Sequence, residues 1–342
     1  MKIVIPMAGV GSRLKPHTNT VPKPLTVVAG KTIVQRLVEE ITDVVGQKVT
    51  DIGFIIGPAS KGFTKKTESD LKDIAQKLGA NGHVFVQDKA MGTAHAIHQA
   101  RTLLDGPVVV AFADTLFKAD FELDNRYDSV IWVKKVDDPS QFGVVKLKDG
   151  IITDFVEKPK EFVSDLAIIG IYYFKEGKHL QSEIDYLIDN DIRGKGDEFQ
   201  LTDALENMRL KDLKFVPGTV SDWMDNGNKK VTIETNQKIL TYEAKAGKDL
   251  VSKTVNNENS TIIQPCYIGE NVLLKDSTIG PYVSIGDGTK VINSTITNSL
   301  IQNDCVIAHA TLHNSMLGNE VEYNGNFTSV SLGDNSQLLV DE

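Results

Sequence analysis

The residues best suited to chemistry are cations grouped around two glycines, and carboxylates that each follow an apolar run. Met7-Ala8-Gly9-Val10-Gly11-Ser12-Arg13-Leu14-Lys15-Pro16 follows the apolar stretch Lys2–Pro6, and Val21-Pro22-Lys23-Pro24-Leu25 comes soon after. Glycines behind a strand let backbone N–H groups approach a phosphate closely. Two common phosphate loops are excluded by spacing. Leu14 stands where G-x-G-x-x-G needs its third glycine, and nothing fits G-x-x-x-x-G-K-[ST]. From Met1 to Val38 the charged residues are Lys2, Arg13, Lys15, Lys23, Lys31 and Arg36, and the first carboxylate is Glu39. A polyphosphate site requires such a segment; taken alone, a surface glycine turn with solvated cations fits equally well.

The carboxylates come next. Asp114 follows the apolar run Val108–Ala113, and Asp225 lies in Trp223-Met224-Asp225-Asn226-Gly227. Two carboxylates together with phosphate oxygens are a normal way to hold Mg²⁺, which keeps several waters and few protein ligands. Each also has a plainer reading, a helix N-cap for Asp114 and a turn residue for Asp225. Glu157-Lys158-Pro159 sets a lysine beside a carboxylate, as a phosphate ligand or a surface ion pair. His17, the histidine nearest the glycine loop, reads as a positioning or surface residue.

These residues need elements to hold them. Lys2–Pro6, Ile52–Ile56, Val84–Val86 and Val108–Ala113 read as strands, separated by helical patterns at Thr32–Ile41, Lys65–Leu78 and Thr93–Leu104. This alternation implies βαβ units and a mainly parallel sheet, with Asp114 at its carboxyl end, where open α/β sheets bind ligands. Val130–Val133, Gly143–Lys148 and Ala167–Phe174 add strands with fewer helices between them, followed by helices at His179–Ile188 and Leu201–Arg209. Lys229–Ala246 reads as a connecting helix. Beyond about residue 250 the pattern changes: the tail is rich in Asn and Ser, and apolar residues recur about every six positions, with Ile268-Gly269, Ile279-Gly280, Ile285-Gly286 and Leu317-Gly318 at turns. That is the hexapeptide beat of a parallel β-helix, about four coils over residues 260–336; an antiparallel sandwich would not need Ile-Gly so regularly. The expected domains are 1–230, a connecting segment 231–257, and the β-helix 258–342.

Composition narrows the class. The chain has 342 residues, 37 Lys+Arg and 46 Asp+Glu, a formal charge of −9. That balance argues against a nucleic-acid binder, which needs a broad basic face. No apolar run approaches the roughly 20 residues that span a bilayer, and the opening apolar run is too short for a signal peptide. Cys266 and Cys305 give neither a disulfide framework nor zinc spacing. A soluble, cytoplasmic protein is expected.

With these residues in view, the chain resembles the sugar-1-phosphate nucleotidyltransferases of the glucose-1-phosphate thymidylyltransferase type, in the long form with a C-terminal left-handed β-helix. Gly9-Val10-Gly11-Ser12-Arg13-Leu14 with Pro22-Lys23-Pro24-Leu25 matches the family's opening signature. Phe142-Gly143-Val144-Val145, Glu157-Lys158-Pro159, Glu198-Phe199-Gln200-Leu201-Thr202-Asp203-Ala204 and Trp223–Gly227 follow in the family's order. Asn228 stands where Thr is usual, and Ala113 precedes Asp114 where Gly is common; neither removes a charge.

The resemblance implies a Rossmann-like, mostly parallel but mixed sheet followed by a left-handed parallel β-helix of hexapeptide repeats. It implies that Ala8, Gly9, Gly11, Ser12 and Arg13 wrap a nucleoside triphosphate, and that Arg13 and Lys23 stabilise charge at the transition state. Asp114 and Asp225 would hold Mg²⁺, Lys158 would contact the sugar phosphate, and Glu157 and the Gly143 backbone the sugar hydroxyls. Gln87, Gly92 and Thr93 would read the base: a Gln amide both donates and accepts, so it pairs with the edge of uracil or thymine. The implied reaction is attack by a sugar 1-phosphate on the α-phosphorus of dTTP or UTP, with glucose 1-phosphate the default sugar. A GTP-dependent mannose-1-phosphate guanylyltransferase and a non-catalytic regulatory subunit of the same fold are the competing readings. The tail reads as an oligomerisation element; His309 and His313 would be the bases if it carried acyl transfer instead.

Overall fold

The computed structural model describes residues 1–9, 11–119 and 126–326. Val10 of the glycine loop and the end of the expected β-helix, 327–342, lie outside the described residues. By internal contacts the described chain divides into two units, each discontinuous in sequence: residues 1–9 with 34–223, and residues 11–33 with 224–326.

The first unit is built on a nine-stranded mixed sheet. Its parallel part sets Val108–Ala111, Lys2–Pro6, Asp51–Ile56 and Asn81–Val86 side by side. The central strands read as continuous apolar runs because helices cover both faces; Ile3, Val4, Ile5, Val108 and Val110 are fully buried or nearly so. Leu166–Phe174 then pairs antiparallel to Val108–Ala111 and carries the sheet onward to Gly143–Lys148, Ile151–Glu157 and Ser129–Lys135. Phe215–Thr219 closes that side, parallel to Ser129–Lys135. The helices Ile33–Val44, Lys65–Lys77, Gly177–Asp189 and Leu201–Leu210 supply the layers. The expected Thr93–Leu104 helix is shorter: it runs Thr93–His98, leaves helical geometry at Ala100 (φ −99°, ψ 24°), and resumes as a 3₁₀ turn Arg101–Leu103. The strand expected at Val108–Ala113 ends at Ala111, and the backbone N–H of Phe112 donates instead to the Gly170 carbonyl at 2.9 Å.

The second unit contains a parallel β-helix. Its short strands stack into three parallel sheets, one of which runs through Asn256–Glu258, Leu273–Lys275, Lys290–Ile292, Val306–Ala308 and Glu322–Asn324. Three such faces are what the expected left-handed β-helix requires. Successive coils are offset by 17 residues early (Thr261↔Thr278) and 16 later (Thr295↔Thr311), so a coil is slightly shorter than three full hexapeptides. Ile268, Ile279, Val283, Ile285, Val291, Ile296 and Ile307 fill the interior. The abundance of asparagine has a backbone cause. Asn259, Asn271, Asn293, Asn298 and Asn314 all sit at positive φ, and Asn tolerates that left-handed turn better than other side chains. The helix Lys229–Lys245 precedes the coils, its N-terminus capped by Asn228, whose side chain accepts from the Val231 N–H at 3.3 Å.

No helix among the described residues is long and apolar enough to cross a membrane.

Candidate active site

Three of the singled-out segments leave the parallel strands at the same edge of the first unit's sheet. Met7 continues Lys2–Pro6, its N–H donating to the Ile55 carbonyl at 2.8 Å, and Ala8-Gly9 follows. Gln87 continues Asn81–Val86, its backbone N–H donating to Ile56 at 2.8 Å. Asp114 comes three residues after Val108–Ala111, exposed at the turn that follows, while Ala113 N–H donates to the Pro6 carbonyl at 3.3 Å. The carboxyl ends of parallel strands are where such sheets bind ligands, because the strands stop there and loops can open. This edge assembles residues from three distant parts of the sequence.

The same unit carries the Glu157 cluster. Gly143 and Glu157 are paired across antiparallel strands. A Cβ added at Gly143 would lie 3.0 Å from Glu157 Oε2, so the glycine keeps that carboxylate face open. Thr202 Oγ1 donates to Glu157 Oε2 at 3.4 Å, and Lys158 Nζ lies 3.4 Å from Glu157 Oε1. Lys158 has a left-handed backbone (φ 42°), its N–H donates to Phe142, and its side chain is exposed.

Two titration shifts mark the cluster as acidic. The Tyr172 phenol is pushed far up by burial and then by the negative charges of Glu157 and Asp114. Its hydroxyl therefore stays neutral and can donate. The Asp203 carboxyl is pushed up by burial and then by Glu157. Buried Asp203 Oδ2 has no hydrogen-bond partner. A Cβ at Gly194 would come within 2.1 Å of that oxygen. Asp203 was not singled out beyond its place in the sequence pattern; its signal is structural, an acid held beside another acid.

Gly92 and Thr93 open the short helix Thr93–His98, and the Phe199–Leu201 segment holds them in place. Phe199 N–H donates to Met91, and Ala94 N–H donates to Phe199, both at 2.9 Å. Thr93 Oγ1 donates to Gln200 Oε1 at 3.3 Å and accepts from the Leu201 N–H at 2.9 Å. Gly92 has φ 108°, and a Cβ there would sit 2.4 Å from the Phe199 carbonyl oxygen, so only glycine fits. Gln87 is buried, its Nε2 donating to the Gly92 carbonyl at 3.2 Å and lying 3.0 Å from His95 Nδ1.

The second unit holds Arg13, Lys15, Lys23, Lys31 and Asp225. Gly11, at φ 60°, caps the 3₁₀ turn Ser12–Leu14, and its carbonyl accepts from Thr18 Oγ1 at 2.8 Å. A Cβ at Gly11 would lie 2.7 Å from Lys23 Cβ, so glycine is what lets the two signature segments close on each other. Arg13 and Lys15 are exposed, whereas Lys23 is only 7% exposed at the head of the 3₁₀ turn Lys23–Leu25. His17 is partly buried, and burial followed by the charge of Lys229 lowers its imidazole pKa, which keeps it neutral near pH 7. The Asp225 carbonyl accepts from Thr235 Oγ1 at 2.8 Å, and a Cβ at Gly227 would fall 2.9 Å from Asp225 Oδ2. Asn226, which sequence reasoning passed over, is fully buried, and neither of its side-chain amide atoms has a partner. Among the described residues no group of three or more His, Cys, Asp or Glu is placed to hold a metal. Asp114 and Asp225 fall in different units.

Known proteins agree with this architecture. The chain is 27% identical to a glucose-1-phosphate thymidylyltransferase of Streptomyces antibioticus, over 99% of each chain. It is 27% identical to a bifunctional protein GlmU of Methanococcus vannielii, over 97% of this chain and 81% of the relative. A crystal structure of UDP-glucose pyrophosphorylase complexed with UDP-glucose superposes with a TM-score of 0.57 at 23% identity, covering 70% of this chain and 98% of the other; at that identity it speaks for the fold alone. The model of the nucleotidyl transferase family matches residues 2–242, most of the chain, and the protein belongs to that family.

Proposed function

We propose that this enzyme transfers a nucleotidyl group from dTTP or UTP to a hexose 1-phosphate, glucose 1-phosphate first among them, releasing pyrophosphate and a nucleoside-diphosphate sugar. The observation that carries the reading is the common sheet edge at which Gly9, Gln87 and Asp114 emerge from the parallel strands. The curated relatives named for this class of reaction support it.

The chemistry asks little of a general base. A sugar 1-phosphate is already an anion at neutral pH, so the protein must align it and neutralise charge. The Ala8, Gly9, Gly11 and Ser12 backbone lies around the triphosphate. Arg13 and Lys23 balance charge on its phosphates as pyrophosphate leaves, and Lys23, being buried, does so with little screening by water. Asp114 and Asp225 would hold a divalent cation, Mg²⁺ in this reading, whose positive charge offsets that of the phosphate oxygens when bound. Gln87, Gly92 and Thr93 read the base. Glu157 and the Gly143 backbone orient sugar hydroxyls, and Lys158 meets the sugar phosphate. The β-helix is taken as the element through which copies of the chain assemble, and the nucleotide substrates imply a cytoplasmic setting.

A matrix of nucleoside triphosphates against hexose 1-phosphates, with Mg²⁺ and pyrophosphate release as readout, tests the reading. Release with dTTP or UTP plus glucose 1-phosphate is expected. Release with GTP and mannose 1-phosphate alone would assign the guanylyl reaction, and no release with any pair would remove catalysis. Light scattering of the full chain checks assembly, with a monomer at micromolar concentration contradicting it.

A further inference from the structure

We infer that His95 is a positioning residue: it locks the side-chain amide of Gln87 so that Oε1 alone faces the ligand, and the site thereby selects a base whose edge presents an imide N–H. The inference rests on the proposed reading of this pocket as the base site.

The argument begins with the Gly92 carbonyl. A carbonyl oxygen only accepts, so the Gln87 atom 3.2 Å from it must be the NH₂ group. That settles the amide's orientation. The second hydrogen of the same NH₂ points at His95 Nδ1, 3.0 Å away. Nδ1 must then be the unprotonated, accepting nitrogen, with the ring proton on Nε2. The ring's surroundings favour that neutral form: burial, then the charge of His98, lowers the His95 pKa. Gln99 Nε2 donates to the His95 backbone carbonyl at 3.1 Å, and its approach to His95 Nε2, at 3.4 Å, is longer than the 3.0 Å contact of Gln87 with Nδ1. Both Gln87 hydrogens are thus consumed inside the protein. Oε1 makes no hydrogen bond among the described residues, although Gln87 is only 6% exposed.

A free glutamine amide is ambivalent, since rotation by 180° exchanges donor for acceptor. Here the rotation would set Oε1 against the Gly92 carbonyl and, with the ring proton on Nε2, against the His95 Nδ1 lone pair; relieving the second contact requires the other His95 tautomer. The locked amide can accept but not donate. Uracil and thymine offer N3–H to it, and guanine offers N1–H; cytosine N3 and adenine N1 are lone pairs and are repelled. Gly92 holds its side of the lock because its own position is fixed by Phe199. His95 holds the other, and it is the side that a substitution can release.

The test is calorimetric affinity of the full chain for UTP and CTP, which differ only at ring position 4 and in N3 protonation, without sugar phosphate. Wild type is expected to prefer UTP by at least about thirtyfold. His95→Leu removes one of the two contacts that hold the amide and leaves the Gly92 carbonyl, so the preference should fall by at least about threefold, mostly through tighter CTP binding. His95→Asn, whose Oδ1 accepts where Nδ1 did, should keep the preference. A purely structural role would weaken both nucleotides alike and leave the ratio intact. An unchanged ratio in His95→Leu, or no preference in wild type, overturns the inference. Nitrogen-15 shifts of the His95 ring in wild type give a check that needs no variant: an unprotonated Nδ1 is expected, and a protonated Nδ1 refutes the lock. Pyrophosphate release by wild type is measured separately. Its absence would remove the proposed reaction, while nucleotide affinities and the ring shifts would still decide the role of His95.

Discussion

In the β-helix, side-chain oxygens are occupied coil by coil. Ser277 N–H donates to Ser260 Oγ, Ser294 N–H to Ser277 Oγ and Ala310 N–H to Ser294 Oγ, at 3.0–3.1 Å. Asn259 bonds Asp276 and Asn298 bonds Asn314 across neighbouring coils. Among the described coil residues Asn298 Oδ1 is the sole buried side-chain atom without a partner. In the Glu157 cluster of the first unit the habit is different. Asp203 Oδ2 is buried without a partner, and burial and then the charge of Glu157 raise the Asp203 carboxyl. An unsatisfied buried polar group costs about 1–3 kcal/mol, so a fold keeps one where something else will meet it. The repeat satisfies nearly all of its own groups and reads as scaffold; the Glu157 and Asp203 pair does not, and reads as part of a site.

The sharpest way to break this contrast is to exchange the roles. Asp114→Asn keeps the shape and removes the charge, and pyrophosphate release should fall by about 10²–10³-fold, the scale of losing one electrostatic contact to the reacting phosphates. His309→Ala with His313→Ala, the two histidines of the coils, should leave release within twofold. A large loss in the double variant would make the repeat part of the machinery.

Stability variants sharpen it further. Ile285→Ala, at a fully buried position inside the coils, should cost about 3 kcal/mol in denaturant unfolding. Gly92→Ala sets a Cβ against the Phe199 carbonyl at a strained φ and should cost about 2 kcal/mol, with nucleotide affinity lost as well. Ser294→Ala strands the N–H of buried Ala310 and should cost about 1–2 kcal/mol, with no change in affinity.

The smallest effect is a pH-dependent one. Glu176 caps the Gly177–Asp189 helix, accepting from the Lys178 N–H at 3.1 Å and from Gly106 at 2.9 Å. The Lys178 bond leads in holding its carboxyl below the ordinary glutamate range. Because the folded pKa is depressed, the stabilisation is present above the ordinary value of 4.5 and is lost as pH falls through the folded value. Glu176→Ala should therefore cost about 1 kcal/mol at pH 7, shrinking toward zero in melts taken progressively below pH 4.5.

Much of this was legible in the sequence, for identifiable reasons. Parallel strands buried on both faces announce themselves as apolar runs, and the coils announce themselves by Ile-Gly at turns. Asp114 was placed at the sheet's carboxyl end from its position after such a run. What escaped were relations between side chains. His95 lies eight residues from Gln87 and carries no spacing signal; its importance comes from the Gly92 carbonyl that fixes the amide. Asp203 matters through Glu157, 46 positions away. Residues 11–33 group with 224–326 rather than with the strands that flank them, because contacts such as the Gln302 Nε2 bond to the Val27 carbonyl at 3.0 Å and the packing of Gly30 against the Tyr267 ring are tertiary. The run of cations in the opening segment was visible; which cation is buried was not.

The most direct test of the central claim is pyrophosphate release by the full chain, compared with Asp114→Asn, at fixed UTP or dTTP with and without glucose 1-phosphate. The account predicts release that depends on both the sugar phosphate and Asp114. Equal release by the two proteins, or release indifferent to the sugar phosphate, would contradict it.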